Sequence, residues 1–245
     1  MNRFAWIPAL LFVFAVPLFL VTASVAWAFN DPGVYNRGFQ KYRISLSSGI
    51  AEEDLRQVGG HIRHYFNSTD EPLLVNTQLY GEKRELFNRR EVEHMHDVKR
   101  LVWWVYAAAS VSGIYLLAAT VWGAAVYRRG FLDVLAKRVI LGVALLAVFV
   151  VIVGGFALAG FDALFLRFHQ LAFANDLWQL DPRRDYLVII FPQGFWFDAT
   201  MRVAASTVAG AVALTLIAGG HLLWGRQTGR GIIRQERVTS GERPQ

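Results

Sequence analysis

Residues 139–161 read VILGVALLAVFVVIVGGFALAGF, a run without a single ionisable side chain. A helix needs about 20 apolar residues to cross the hydrocarbon core of a bilayer, and within lipid the backbone must satisfy its own hydrogen bonds. This run meets both conditions. Working outward, residues 4–29, 101–127 and 200–224 meet them too. None contains Asp, Glu or Lys, and Arg202 lies at the edge of the last run. The 245-residue chain is 54% hydrophobic, above the share usual in soluble domains. The expected fold is an all-α membrane protein: four transmembrane helices with an extracellular, mainly helical cap.

The formal charge of +6 divides unevenly and has a topological meaning rather than a nucleic-acid one. The loop 128–138 carries Arg128, Arg129, Lys137 and Arg138 against Asp133. The tail 225–245 carries Arg226, Arg230, Arg234, Arg237 and Arg243 against Glu236 and Glu242, and Arg3 precedes the first run. Lys and Arg close to spans favour the cytoplasmic side, so both termini and the short loop are expected inside. Residues 30–98 and 162–199 then share the outer face. Ala26-Trp27-Ala28 resembles a signal-peptide cleavage site, but the first apolar stretch is longer than a signal core and holds Pro8 and Pro17, so an uncleaved helix is expected. The chain has no cysteine, which excludes disulfides and thiolate chemistry.

The segment 30–98 is too long for a connector and is expected to fold as the cap. FNDPGVYNRG reads as turns. In AEEDLRQVGGHIRHYF, Leu55, Val58, Ile62, Tyr65 and Phe66 recur at helical spacing behind the acids Glu52, Glu53 and Asp54, which predicts an amphipathic helix. A short hairpin is expected about Tyr80-Gly81, and NRREVEHMHDVKR as a helix running into the second span. The segment 162–199 is dense in rings, Phe165, Phe168, Phe173, Trp178, Phe191 and Trp196 among them. Interfacial belts favour Trp and Tyr, whereas so many phenylalanines point to an apolar pocket or an inserted segment. FDALFLRFHQLAF reads as an interfacial helix, followed by a turn at Asp181-Pro182 and a break at Pro192-Gln193-Gly194. The basic tail is expected to be disordered.

Two histidines stand at the membrane boundary: His94 before the second span and His169 after the third. Imidazole takes and returns protons near neutrality. On a helix His94 shares a face with Asp97, which would orient it and raise its pKa, while His96 points about 160° away. Spacing alone leaves open which of the two is active, and each histidine has a plain interfacial reading. Asn175, Asp176 and Asp181 follow His169, as substrate-orienting groups or as turn residues. His61 and His64 fall on the cap's solvated side, and His221 lies apart at the end of the last span. His61, His64, His94, His96 and His169 with Asp97 or Asp176 offer enough ligands for a metal, yet no HExxH occurs, and neither metal nor cofactor is expected. There is no GxSxG, Walker loop or GxGxxG, so no serine nucleophile or nucleotide site is indicated. No span interior carries an ionisable residue marking an ion path.

REVEHMHDVKRL and FHQLAFANDLWQLDPRRDYLVIIFPQGFWFDA, within this four-span layout, resemble the bacterial integral membrane family that contains the lipoprotein intramolecular transacylase. The resemblance covers nearly the whole chain. It implies four membrane helices with an extracellular cap in the bacterial cytoplasmic membrane, and two catalytic histidines, His94 and His169, at the cap–membrane interface. It thereby chooses His94 over His96. The implied substrate is a diacylated lipoprotein held among membrane lipid; on position alone, Asp97, Asn175, Asp176, Trp178, Phe168, Phe191 and Trp196 are the candidates to bind or orient it. The implied reaction moves the sn-2 acyl chain of the diacylglyceryl-cysteine to that cysteine's own α-amine. One histidine would deprotonate the amine and the other protonate or polarise the ester; Asn175, Trp178 and Lys99 are candidate oxyanion donors. The Arg-rich composition and basic tail depart from the pattern without bearing on activity. Two other classes stay open on the residues alone: a membrane protein whose cap binds a lipid or a partner, and a metal-dependent hydrolase.

Overall fold

The computed structural model describes residues 6–127 and 130–239, residues 226–239 as backbone alone. Of the positions behind the inside-positive pattern, Arg3, Arg128, Arg129 and Arg243 lie outside the described residues, as does Glu242. The elements are α1 (Trp6–Asn30), α2 (Pro32–Lys41), α3 (Ile44–Ser48), α4 (Glu52–Asn67), β1 (Asn76–Leu79), β2 (Glu82–Glu85), α5 (Arg89–Tyr127), α6 (Phe131–Ala172), α7 (Tyr186–Ile190) and α8 (Gln193–Thr239). Four helices are long and apolar enough to cross a membrane: α1, α5, α6 and α8 as far as Gly225. Leu117 and Val121 on α5, Val151 and Leu158 on α6, and Leu216 and Ile217 on α8 are exposed. That much apolar surface suits lipid and not water.

The helices extend beyond the apolar runs, because a helix that leaves lipid keeps its own hydrogen bonds. α5 begins at Arg89, where Asn88 and Glu91 form a capping box: the Glu91 N–H donates to Asn88 Oδ1 (3.2 Å) and the Asn88 N–H to Glu91 Oε2 (2.8 Å). α6 continues past residue 161 to Ala172 across one interruption at Gly160, whose backbone is extended (φ −178°, ψ 80°). α8 starts at Gln193, so the expected break at Pro192-Gln193-Gly194 is the helix's own N-terminus, with the Phe195 N–H donating to the Pro192 carbonyl (2.8 Å). The tail, expected to be disordered, instead continues α8 to Thr239; its Arg, Gln and Glu are good helix formers.

Two compact units are distinguished. One comprises Met1–Leu20, Val111–Phe149 and Val208–Gln245. Within it α1 and α6 pack closely at Gly142, where a Cβ would lie 2.9 Å from the Val13 carbonyl oxygen. Pro17 has no N–H to donate to that carbonyl, and the glycine lets the two backbones approach. His221 is not isolated here: its Nε2 lies 2.9 Å from Asp133 Oδ1. Sequence spacing could not show a pairing between residues so far apart in the chain.

The other unit comprises Val21–Ser110 and Val150–Thr207. Its core gathers Tyr35, Phe39, Leu55, Ile62, Phe66, Leu79, Ile190, Phe191 and Phe195. All five apolar positions of the predicted α4 stripe are buried. Gly59-Gly60 does not interrupt the helix, and Gly59 faces Phe39, whose ring would lie 3.3 Å from a Cβ. The hairpin forms with Leu79 opposite Glu82, and Tyr80 and Gly81 both take positive φ (51° and 87°). Such a turn matches the twist of the strands and favours glycine. FNDPGVYNRG is not a set of turns: it forms most of α2. Asp31 caps the helix by accepting from the Gly33 N–H (2.8 Å), and Pro32 occupies the first turn, where a missing N–H costs nothing.

Candidate active site

His94 and His169 both lie in the second unit, outside residues 101–127 and 139–161. α5 and α6 carry them to a ring-centroid separation of 6.1 Å, with the planes inclined by 34°. Both are buried, at 5% and 9% exposure. Phe173 stands against both rings, 5.1 Å from His94 and 5.6 Å from His169. It is four residues beyond His169, so helical spacing alone could have marked it. Phe165 (4.4 Å), Phe168 (5.3 Å) and Trp178 (5.3 Å) complete the rings around His169. Trp196 adjoins Phe165 (6.2 Å) and Phe191 (5.9 Å), and Phe191 itself belongs to the cap core.

The two imidazoles are held differently. His169 Nδ1 lies 2.8 Å from the Phe165 carbonyl oxygen. A carbonyl only accepts, so Nδ1 carries the proton and the neutral ring keeps its lone pair on Nε2. His94 Nδ1 is buried without a hydrogen-bond partner among the described residues. Asp97 does not orient that nitrogen. Its Oδ2 accepts instead from Asn175 Nδ2 (2.8 Å), tying α5 to the segment that follows α6. Burial, helped by the neighbouring His169 and opposed by Asp97, pushes the His94 pKa down to about 4. The expected rise does not occur, because desolvation outweighs the carboxylate. Burial also lowers His169, against the hydrogen bond to Phe165.

The segment after α6 is clamped by a residue that sequence reading passed over. Arg90 donates to the carbonyl oxygens of Asp176 (2.5 Å) and Leu177 (3.4 Å). Asn175 accepts from the Leu177 N–H (3.1 Å), and the Asp176 carboxylate accepts from Gln179 (2.9 Å). Asp176 is therefore turn chemistry. Lys99 is buried, donating to the Asp70 carbonyl (2.7 Å), pairing with Glu71 (3.1 Å) and lying over the Tyr65 ring (4.0 Å). Those partners, and not an oxyanion, occupy it. Glu91 anchors α7: its Oε1 accepts from the Leu187 N–H (2.6 Å), and burial raises its pKa. Asp181 accepts from the Arg183 N–H (3.0 Å), again a turn contact.

His96 is half exposed, with Nδ1 4.0 Å from Asp97. His61 and His64 are exposed, and His64 pairs with Asp70 (3.1 Å). Among the described residues no three His, Asp or Glu side chains gather in an arrangement that could hold a metal ion. A cleft of about 490 Å³ is lined by neither His94 nor His169; Asp97 and Asn175 form part of its wall, with Glu71, Glu93 and His96.

Fold and site together define an integral membrane protein of four long helices in which two buried, mutually facing histidines sit beyond the apolar runs. The sequence model of the lipoprotein intramolecular transacylase Lit matches residues 10–196, and the chain belongs to that family. An uncharacterized protein of Aquifex aeolicus (strain VF5) is 31% identical over 145 residues, which cover 58% of this chain; the chain spans only 62% of that relative's length. The in meso structure of the membrane integral lipoprotein intramolecular transacylase Lit from Bacillus cereus superposes with a TM-score of 0.68 at 13% identity, covering 97% of this chain and all of that one. A histidine-to-arginine variant of the same protein gives 0.71 at 13% identity, covering 91% and 93%. At such identities the likeness is one of fold.

Proposed function

We propose that this protein is a lipoprotein intramolecular transacylase that moves the sn-2 acyl chain of a diacylglyceryl-cysteine to the α-amine of the same cysteine, with His169 and His94 as its acid–base pair. The observation that carries the reading is the 6.1 Å approach of two buried imidazoles, in a ring-lined site beyond the apolar runs, in a member of this family. An α-amine has a pKa near 8 and attacks an ester only when neutral. His169 Nε2, its lone pair left free by the Nδ1–H bond to Phe165, removes the amine proton as nitrogen adds to the ester carbonyl. His94, kept neutral by burial, polarises that carbonyl through an N–H. The tetrahedral adduct collapses, the bond to the glycerol oxygen breaks, and His169 returns the proton to that oxygen. No water enters, and the product is an N-acylated cysteine with one chain left on glycerol.

The amine and ester belong to one molecule, so much of the work is holding that molecule folded back on itself, and good orientation can contribute several kcal/mol. Phe165, Phe168, Phe173 and Trp178 supply a confined apolar surround for this. The distribution of Lys and Arg supports both termini on the cytoplasmic side and the histidines on the outer face of the membrane.

The test uses a bacterial host without N-acylating enzymes. The N-terminal lipopeptide of an abundant lipoprotein is analysed by mass spectrometry after expression of the wild type or of the His94→Ala, His169→Ala variant. The wild type leaves total mass unchanged while fragmentation finds one acyl chain moved from glycerol to nitrogen. A free amine in both samples, with the wild type expressed and folded, overturns the reading.

A further inference from the structure

The rings around the histidines suit acyl chains, yet the substrate envisaged above also carries a polypeptide that must reach water. The cleft lies on the two elements that bring the histidines together. Val92, Glu93 and Asp97 come from α5, the helix of His94; Asn175 and Leu177 come from the segment leaving α6, the helix of His169; and Glu71 closes the remaining side. At 100° per residue, Asp97 stands about 60° from His94 around the helix and Glu93 about 100°, so the cleft begins where the histidine face ends. The Asp97–Asn175 hydrogen bond forms the boundary between them. A volume of about 490 Å³ falls in the range of small-molecule sites, roughly 300–1,000 Å³, and is enough for a short extended stretch of chain.

Three carboxylates, Glu71, Glu93 and Asp97, line this cleft together with His96, whose Nδ1 lies 4.0 Å from Asp97. Glu71 is paired with Lys99 and Glu93 with Arg89 (2.7 Å), whereas among the described residues no lysine or arginine pairs with Asp97. We propose that this cleft receives the first polypeptide residues after the lipidated cysteine, and that Asp97 and Glu93 make it discriminate against acidic residues there and in favour of basic ones. The assignment rests on the transacylase reading for the identity of the substrate, but its charge preference has its own readout. Apolar Val92 and Leu177 contact side-chain stems, while the carboxylates act on charge. Partly exposed pairs of this kind are worth little each, so the preference is modest: roughly threefold to fivefold per charge.

The experiment uses the full-length protein in phosphatidylcholine nanodiscs, whose surface carries no net charge. Three synthetic diacylglyceryl-cysteinyl peptides differ only in having Lys, Ser or Glu at the two positions after cysteine. Turnover is read as kcat/KM. Equilibrium binding of fluorescent versions is read on the His94→Ala, His169→Ala variant, which needs no chemistry. The expected order is Lys, then Ser, then Glu in both measurements, with Lys over Ser by roughly tenfold or more for two charges and Lys over Glu by more. In an Asp97→Asn, Glu93→Gln variant the Lys-to-Glu ratio collapses toward one. The ratio cancels any general loss of activity that the substitutions cause, and turnover of the Ser peptide reports that the fold survives. Equal handling of the Lys and Glu peptides, or a ratio that the substitutions leave unchanged, overturns the assignment. If no peptide is converted by the wild type but the binding order holds, the transacylase reading fails and the cleft assignment stands. If neither conversion nor a binding order is seen, both fail.

Discussion

His169 donates from Nδ1 to the carbonyl oxygen of Phe165, one helical turn earlier, at 2.8 Å. A helix carbonyl cannot donate in return, so this contact selects the tautomer and leaves Nε2 as the basic nitrogen. ¹⁵N spectra of ring-labelled protein at pH 8 are expected to show His169 with a protonated Nδ1 and an unprotonated Nε2. The opposite pattern would remove His169 from the role of base through Nε2.

Replacing either histidine is expected to abolish most of the transfer. General acid–base groups contribute about 10²–10⁴-fold, and His94→Ala or His169→Ala should each lower kcat by that order. The double variant should be little worse than the poorer single one, because His169 on the proton and His94 on the carbonyl act in one transition state and their effects do not add. The check is single-turnover conversion of a synthetic diacylated lipopeptide. Multiplicative losses would mean that the two rings work independently.

The burial of His94 has a consequence for stability. Its pKa is about 4 in the folded protein against about 6.5 in an unfolded chain, so below pH 6.5 protons bind the unfolded state more readily. Stability from this group is complete above pH 6.5 and is lost as the pH falls toward 4, by on the order of 3 kcal/mol. His169 is shifted in the same direction. Melting temperatures of detergent-solubilised protein should therefore drop between pH 7 and pH 5, and drop less in His94→Gln, which cannot take up the proton. An equal drop in both proteins would show that other groups govern the acid sensitivity.

What could be read from the sequence and what could not divides along physical lines. The spans were legible because lipid demands an unbroken apolar run, as in residues 139–161. The α4 stripe and the Tyr80-Gly81 turn were legible because local backbone chemistry sets them. α2 was misread because Asp, Pro and Gly serve both in turns and at helix starts; the Asp31-Pro32 order was the signal for a cap. The histidines could be placed beyond the ends of two apolar runs, but their surroundings could not. Asp97 was assigned to His94 by helical spacing, whereas its partner is Asn175, 78 residues away. The same limit hid the Asp133 partner of His221 and the role of Glu91, which links the first turn of α5 to α7. Side chains that join distant segments leave no periodic trace.

Arg90 gives the last prediction, because it touches neither histidine and yet controls what surrounds them. Its guanidinium holds the carbonyls of Asp176 and Leu177, and the same short segment delivers Asn175 to Asp97 and Trp178 to the His169 ring. Contacts of this kind, open at least in part to solvent, are worth about 1 kcal/mol in all, and an ammonium cannot reproduce the two-pronged geometry. Arg90→Ala should therefore loosen the 173–178 segment and lower kcat by about tenfold or more, since small displacements of positioning groups cost rate steeply. Arg90→Lys should recover only part of that loss. The distinguishing readout is Trp178, compared with a Trp178→Phe background: in Arg90→Ala its fluorescence should become more accessible to a polar quencher, while the melting temperature shifts by only a few degrees. Unchanged Trp178 quenching with a fall in kcat would mean that Arg90 acts by some route other than this clamp.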